Sequence, residues 1–457
     1  MNPADGLPVP QRYWAVSAIA IALTMAVLDS SIANVALPTI SKELNIRPAD
    51  SIWIVNAYQL AVTVSLFPLA SLGDIFGYRR VYLSGLAVFT VASLACAMSD
   101  SLLTLTLARI VQGLGAAGLM SVNIALIRFI YPYKLLGRGV GYNALIVAVS
   151  SAAGPSVAAL ILSAASWQWL FAINVPLGLL ALFVAWRALP ETPHADRKFD
   201  ALSALLNTLT FGLLIVGIKG LDDSQHTALV VAELGGALVL GYFLIRRQLS
   251  QEAPLLPVDL LKLPVFALSV VTSVCSFGAQ SIAYVSLPFY FQDVIGRSQG
   301  ETGLLMTPWP LAIAVIAPIS GRLADRYDPG ILAAAGLGVL AVGLGLLALM
   351  PADPTLADIS WRMALCGLGF GLFQSPNNKV LITSAPRERS GGASGIQATA
   401  RLLGQTLGAA LVGLIFGLVP DHGRGTIIAV GLAAGAAALA GVASGLRRFT
   451  ASPGQSG

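Results

Sequence analysis

The sequence predicts an all-α polytopic membrane protein, two parallel six-helix bundles with two extra helices between them, and three observations predict it. The first is composition: 56% of the 457 residues are hydrophobic and 11% are charged, against roughly a quarter charged in soluble domains. The second is patterning. Apolar residues, giving a mean hydropathy of +0.79, fall in blocks of about 20 between short polar breaks, the length of helix that crosses the hydrocarbon core of a bilayer. The third is an internal repeat. Gly113-Leu114-Gly115 recurs as Gly367-Leu368-Gly369, Gly141 as Gly395, Asn143 as the related amide Gln397, and Gly154 as Gly408, all at an offset of 254. Asp74 recurs as Asp325 at an offset of 251.

A window of about 19 residues resolves fourteen apolar blocks. The first, 13–38, starts after Arg12, carries Asp29 and Asn34, and is too long for the apolar region of a signal peptide. Block 51–71 holds Asn56, Tyr58 and Gln59 and runs into a loop with Asp74, Arg79 and Arg80. Block 80–97 is mostly apolar, and 103–126 carries Arg109. Block 139–163 has Tyr142 and Asn143 near its start and Gly154-Pro155 toward its end, and 168–187 closes the first half. Blocks 201–219 and 227–245, the second with Glu233, are the pair left over by the 254-residue offset. The second half opens with 264–291, carrying Gln280, Tyr284 and Tyr290, followed by 303–323 with Trp309 and 331–350, rich in Gly, Ala and Leu. Block 361–384 holds Phe373, Gln374, Asn377, Asn378 and Lys379, block 394–418 holds Arg401, and 425–446 is the last. The predicted organisation is an N-terminal bundle over 1–190, a two-helix insert over 191–262, a C-terminal bundle over 263–448 and a tail over 449–457.

Basic residues orient the chain. With the N-terminus in the cytoplasm, 18 of the 27 Lys and Arg flank the blocks on the inner side and 6 on the outer. Such an excess places both ends, tail included, inside. Cys96, Cys275 and Cys366 each lie in an apolar block, so neither a disulfide framework nor a zinc cluster is expected. His194, His226 and His422 are too dispersed for a metal site or a triad, and no tract of basic residues with interleaved aromatics points to nucleic acid. The run GLGAAG at 113–118 fits G-x-G-x-x-G but lies in an apolar block with no preceding strand, so close helix packing explains it better than a dinucleotide. With no nucleotide-binding loop either, neither an enzyme nor a resident cofactor is expected.

Asp29 is the sharpest position, because a carboxylate at membrane depth costs at least about 2.5–3.5 kcal/mol and is seldom retained without a task. Arg109 falls at a similar depth, so the two are expected to meet, either as a fixed salt bridge or as a pair whose ionisation follows protonation. Glu233 is shallow enough to lean toward the interface, or it serves as a second proton site. Lys379 and Arg401 are read near the cytoplasmic ends of their helices, as snorkelling cations or gate residues. Asn34, Asn56, Tyr58, Gln59, Tyr142, Asn143, Tyr284, Trp309, Phe373, Gln374 and Asn377 are the candidate lining of a polar and aromatic cavity, whose ring faces suit a lipophilic cation.

These residues carry a family likeness over almost the whole chain. LDSSIANVALP around Asp29, ASLGDIFGYRR with Asp74, Gly77, Arg79 and Arg80, RIVQGLGAAG with Arg109 and Gln112, Gly154-Pro155, WQWLFAINVPLG, GRLADR and FQSPNN together resemble the major facilitator superfamily, and within it the fourteen-helix drug:proton antiporters. Ala70 and Ile75 depart from the first loop motif while Gly321 to Arg326 keep it, Ala158 and Ala159 replace a usual glycine pair, and Asn56 stands where some relatives carry an acid. The resemblance implies the major facilitator fold and a bacterial inner-membrane exporter, with Asp74, Arg79, Arg80, Gly154, Pro155, Asp325, Arg326 and Arg401 in gating. The implied cargo is lipophilic, mainly monovalent cations such as quaternary ammonium antiseptics, dyes and biguanides. They would be exchanged for protons by a monomer whose energy source is the proton gradient and whose surroundings are lipid. Transport of a specific metabolite is the alternative, and a non-transporting receptor or scaffold the more distant one.

Overall fold

A computed structural model describes residues 6–132, 135–192, 199–220, 227–250, 258–324, 326–351, 353–384, 390–419 and 421–450. The helices are α1 Val9–Glu43, α2 Pro48–Phe76, α3 Tyr78–Ala97, α4 Leu102–Ile130, α5 Leu136–Ala164, α6 Trp169–Ala188, α7 Ala201–Gly220, α8 Thr227–Leu249, α9 Pro264–Val294, α10 Gln299–Leu323, α11 Pro329–Ala348, α12 Leu356–Ser384, α13 Ser390–Leu418 and α14 His422–Thr450. Among the described residues 13 of these are long and apolar enough to cross a membrane, and α5 contains a shorter apolar stretch, Val149–Ala164. Local chemistry sets several ends. Ser101 and Thr104 form a reciprocal capping box at the start of α4, Ser298 and Glu301 do the same for α10, and Asp328 caps α11 ahead of Pro329. Between α2 and α3 the chain reverses at Gly77, whose φ of 93° suits a residue without a side chain.

The helices overrun the apolar blocks. α1 continues through Pro38 to Glu43, about 7 Å beyond the predicted end at 1.5 Å per residue. Hydrogen bonding within a packed bundle tolerates the one N–H that proline lacks. α13 begins at Ser390, so Arg401 lies eleven residues, about 16 Å, inside it. The polar residues before 394 extend the helix instead of ending it, so Arg401 is not near the end of α13, while the apolar span itself starts at Gly395, six residues before it.

The sequence repeat is a structural repeat. α1 packs on α5 and α6, α2 on α4, and α3 on α4 and α6; eight helices later, α9 packs on α13 and α14, α10 on α12, and α11 on α12 and α14. The repeated glycines sit at matching approaches. A side chain on Gly113 would strike the Tyr58 carbonyl and Ala61, and one on Gly367 would strike the Trp309 carbonyl and Ala312. Gly115 likewise meets Phe89 and the Gly85 carbonyl, as Gly369 meets Leu340 and the Gly336 carbonyl. The halves meet along two seams, α5 against α10 and α2 against α13. The α7–α8 hairpin lies on the second seam, α7 touching both α2 and α13, and Asn207 Nδ2 donates to the Val64 carbonyl at 2.8 Å.

Closure is one-sided. At the end away from the chain termini one apolar core joins Val35, Ile40, Ile52 and Val55 of the first half to Phe289, Phe291, Met306 and Val412 of the second. Gln292 Nε2 donates to the Val35 carbonyl at 3.3 Å, Ser156 and Thr307 hydroxyls lie 2.8 Å apart, and Lys42 pairs with Asp293 at 2.7 Å. Toward the termini the described residues form two separate cores. One is in the first half, around Ala15, Ile19, Leu126 and Ala185, and the other in the second, around Phe266, Leu381, Ala393 and Ile396.

Candidate functional site

Asp29 is buried in the first half and fully engaged. Arg109 Nη1 donates to its Oδ2, while Gln112 Nε2 and Asn174 Nδ2 donate to its Oδ1 at 2.8 and 3.0 Å. Arg109 Nη1 also reaches Gln112 Oε1 at 2.7 Å, and Nε reaches the Ile54 carbonyl at 3.0 Å. Its guanidinium carbon stands 4.1 Å from the centre of the Tyr58 ring and 5.5 Å from that of Phe171. Ser93 accepts from Gln112 at 2.9 Å. The network therefore draws α1, α2, α3, α4 and α6 together around one ion pair. Asp29 and Arg109 meet although Asp29 lies fourteen residues from the end of α1 and Arg109 seven from the start of α4, because α1 overshoots α4 by roughly 10 Å there. A buried pair of this kind holds only when the remaining lone pairs and protons find partners, as they do here.

Among the described residues the second half holds no counterpart. Arg109 maps by the 254 offset onto Met363, and Tyr58 onto Trp309 by the shared glycine contacts. In place of charges there is a ring cluster. Phe277 meets Phe370 edge to face at 5.2 Å, Phe370 meets Phe373 at 5.9 Å, and Tyr284 meets Trp309 at 5.4 Å between centroids. Asn377 Nδ2 donates to Ser273 Oγ at 2.8 Å.

Of the predicted lining residues, five hold a buried polar atom without a partner among the described residues: Asn34 Oδ1, Asn56 Oδ1, Gln59 Oε1, Trp309 Nε1 and Asn377 Oδ1. Buried polar groups are normally satisfied, so these atoms are candidates to bind a cargo. Gln374 is half-buried. Asn143 accepts from Asn123 at 2.7 Å, and Tyr142 is 55% exposed. Glu233 is not brought to Asp29. It lies on α8, which packs chiefly on α7, and faces Gly217 within the hairpin.

The gating residues divide similarly. Asp74 accepts from the Tyr78 hydroxyl at 2.6 Å, and Arg79 binds the Trp186 carbonyl and Glu191, tying the α2–α3 turn to the end of α6. These ties stay within the first half. Arg80 and Arg326 are exposed, and Asp325 lies outside the described residues. A side chain at Gly154 would strike Ser31 of α1, and the neighbouring Pro155 carbonyl faces Gly303 of α10, so this pair sits on the interhalf seam. Arg401, partly buried, has a buried Nε without a partner among the described residues. Sequence reasoning missed Asn174, Ser93 and Phe171. The one available signal was an amide, Asn174, in an otherwise apolar block; Ser93 and Phe171 look like any other helix residues until the fold brings them to Asp29.

Comparison with known proteins agrees with this architecture. The chain is 59% identical over 448 residues, 97% of each chain, to the uncharacterized transporter YebQ of Escherichia coli K12. It is 30% identical to the riboflavin transporter RibZ of Clostridioides difficile, covering 89% of this chain and 88% of that one. It is 32% identical to the tetracenomycin C resistance and export protein of Streptomyces glaucescens, covering 91% and 77%. Among solved structures, a bacterial homolog of the human lysosomal transporter Spinster, crystallised in an inward-facing and unoccupied conformation, superposes with a TM-score of 0.70 at 15% identity over 98% of this chain and 100% of that one. The Major Facilitator Superfamily profile matches residues 19–409. A repeated six-helix bundle, a closed seam at one end and a profile match over most of the chain lead to one assignment: the chain is a multi-pass membrane transporter that belongs to the major facilitator superfamily.

Proposed function

We propose that the chain is a proton-coupled exporter of lipophilic, ring-bearing compounds, one of the fourteen-helix drug:proton antiporters, working by alternating access in a bacterial inner membrane with both ends in the cytoplasm. The observation that carries this reading is the saturated network around Asp29, a buried carboxylate held by Arg109, Gln112 and Asn174. α1 is the link between that network and the gate. The same helix offers the Val35 carbonyl to Gln292 and Lys42 to Asp293 across the closed end. Protonating Asp29 removes the charge that holds α1 to α4 and α6, and α1 is then free to shift against α9. With one apolar core joining the halves at the end away from the termini and two separate cores toward the termini among the described residues, we read this conformation as the inward-facing one, ready to take cargo from the cytoplasm.

The cargo meets rings before it meets the carboxylate. Both Asp29 oxygens are engaged and its charge is neutralised by Arg109, so attraction of a cation by Asp29 requires a conformation in which the pair has parted. Export of tetracenomycin C by one relative and transport of riboflavin by another support a ring-bearing cargo, and the second keeps a specific metabolite open as the alternative reading. Uptake of ethidium, a cation, and of fluorescein, an anion, into proteoliposomes under an imposed pH gradient tests the proposal. Gradient-driven accumulation of at least one dye, lost on Asp29→Asn, is the expected result. Accumulation unaffected by Asp29→Asn removes Asp29 from proton coupling, and absence of accumulation of either dye, with riboflavin accumulating, moves the chain to the specific-metabolite reading.

A further inference from the structure

Arg401 is the membrane-depth cation that the network leaves out. Arg109 has Asp29, and Lys379 donates to the Ala324 carbonyl at 2.8 Å, but Arg401 makes no hydrogen bond or ion pair with any described residue. It lies in the interior of a 29-residue helix, where a charge is costly and is rarely kept unless it faces a cavity or a partner. Its direction follows from its neighbours. Gly404 and Gly408 pack on α9, against the Val274 and Gly278 carbonyls. Ala398 and Leu402 pack on the cluster of Met25, Tyr58, Val62 and Leu66 in the first half. At 3.6 residues per turn Arg401 points about 60° from both Gly404 and Ala398, between the two packed faces. It is therefore turned to the seam between the halves, where transporters of parallel repeats hold their cargo. Gln397 and Gln405, one turn to either side, share this face and are likewise only partly buried. One turn from Arg401, Gly404 comes against Phe277, the end of the Phe277–Phe370–Phe373 ring chain.

We infer that Arg401, flanked by Gln397 and Gln405 and next to the ring chain, is a binding site for the anionic group of an aromatic cargo, a carboxylate, sulfonate or phenolate. A guanidinium offers the planar fork that such groups accept in pairs, the amides add donors, and the rings take the aromatic body. This rests on the transport reading above and turns its charge preference from cation to anion.

The test uses two dyes with the same xanthene core, fluorescein as the anion and rhodamine 6G as the cation, bound to the full chain in nanodiscs of zwitterionic lipid and followed by fluorescence anisotropy. The native chain is expected to bind fluorescein more tightly than rhodamine 6G. Arg401→Gln should weaken fluorescein at least tenfold with rhodamine 6G unchanged, and Arg401→Lys should restore part of the loss. Thermal melting supplies the readout that a structural role would reverse: removal of an unpaired buried charge should hold or raise the Tm. Equal weakening of both dyes, a lowered Tm for Arg401→Gln, or no fluorescein binding by the native chain overturns the inference. So does loss of fluorescein binding when phosphatidylglycerol replaces part of the lipid, which would make a lipid headgroup the ligand. Binding without gradient-driven uptake would sink the transport reading and leave the site standing.

Discussion

Asp29 shows how far a single residue can be read. Its cost in an apolar helix marked it as a functional candidate, and its depth paired it with Arg109; the structure brings the two together. What depth could not show is that two amides, Gln112 and Asn174, are also aimed at it. These amides predict the result of a charge exchange. In the double variant Asp29→Arg with Arg109→Asp the amide donors would face a guanidinium, which accepts nothing, so the exchange should not restore the activity lost in either single variant. Gradient-driven dye uptake measures this, and recovery to near the native rate would reduce the network to a simple ion pair. Gln112→Leu keeps the volume but strips one donor from Asp29 and one acceptor from Arg109, and should lower stability by about 1–3 kcal/mol. Thermal melting in detergent checks it, and an unchanged Tm would mean that the amide contributes nothing.

Among the elements, α5 and α10 form the contact most sensitive to a small change. Gly303 has no side chain to keep α10 off α5, and a Cβ there would lie 2.5 Å from the Pro155 carbonyl and 2.6 Å from Ala159. Gly303→Val should wedge the seam open at the closed end and shift the population toward the opposite-facing state. A single cysteine introduced as Ser156→Cys, after replacement of the native cysteines, reports the shift, since labelling by a membrane-impermeant maleimide should rise severalfold in the Gly303→Val background. No rise would show that the α5–α10 contact does not close this end. At this scale the predicted block order matched the helices, and the errors were at helix ends. A hydropathy window ends the first block at 38 and starts the thirteenth at 394, whereas the helices run on to Glu43 and back to Ser390. Contacts made after folding decided both.

For the whole molecule, the cross-half ion pair of Lys42 and Asp293 closes the end away from the termini, with His422 Nδ1 also 3.0 Å from Asp293. Lys42 is mostly exposed, and exposed pairs contribute about 0.2–1 kcal/mol, so Lys42→Gln should change the closed-to-open ratio by no more than about fivefold. Asp293→Asn removes the partner of both Lys42 and His422 and should exceed it. Distances between spin labels across the closed end measure the ratio, and a larger effect from Lys42→Gln than from Asp293→Asn would contradict the arrangement. Charge balance over a cycle distinguishes the cargo classes as well. One proton exchanged for a monovalent cation moves no net charge, whereas one exchanged for a monovalent anion moves two, each coupled to the membrane potential by about 2.3 kcal/mol per 100 mV.

Composition, spacing and repeat determined the class, the helix order and the two-half plan, because a bilayer requires apolar helices of nearly fixed length and a repeat preserves the glycines at its close approaches. The functional residue types were legible for the same reason, polar and charged groups being conspicuous where each one is costly. Partners and direction were decided only by the tertiary structure. Asp29 and Arg401 look alike in the sequence, each a lone charge in an apolar block, yet packing surrounds the first with three donors and turns the second, without a partner among the described residues, to the seam. That difference depends on which helices meet and at what rotation, which residues far apart in the chain settle together.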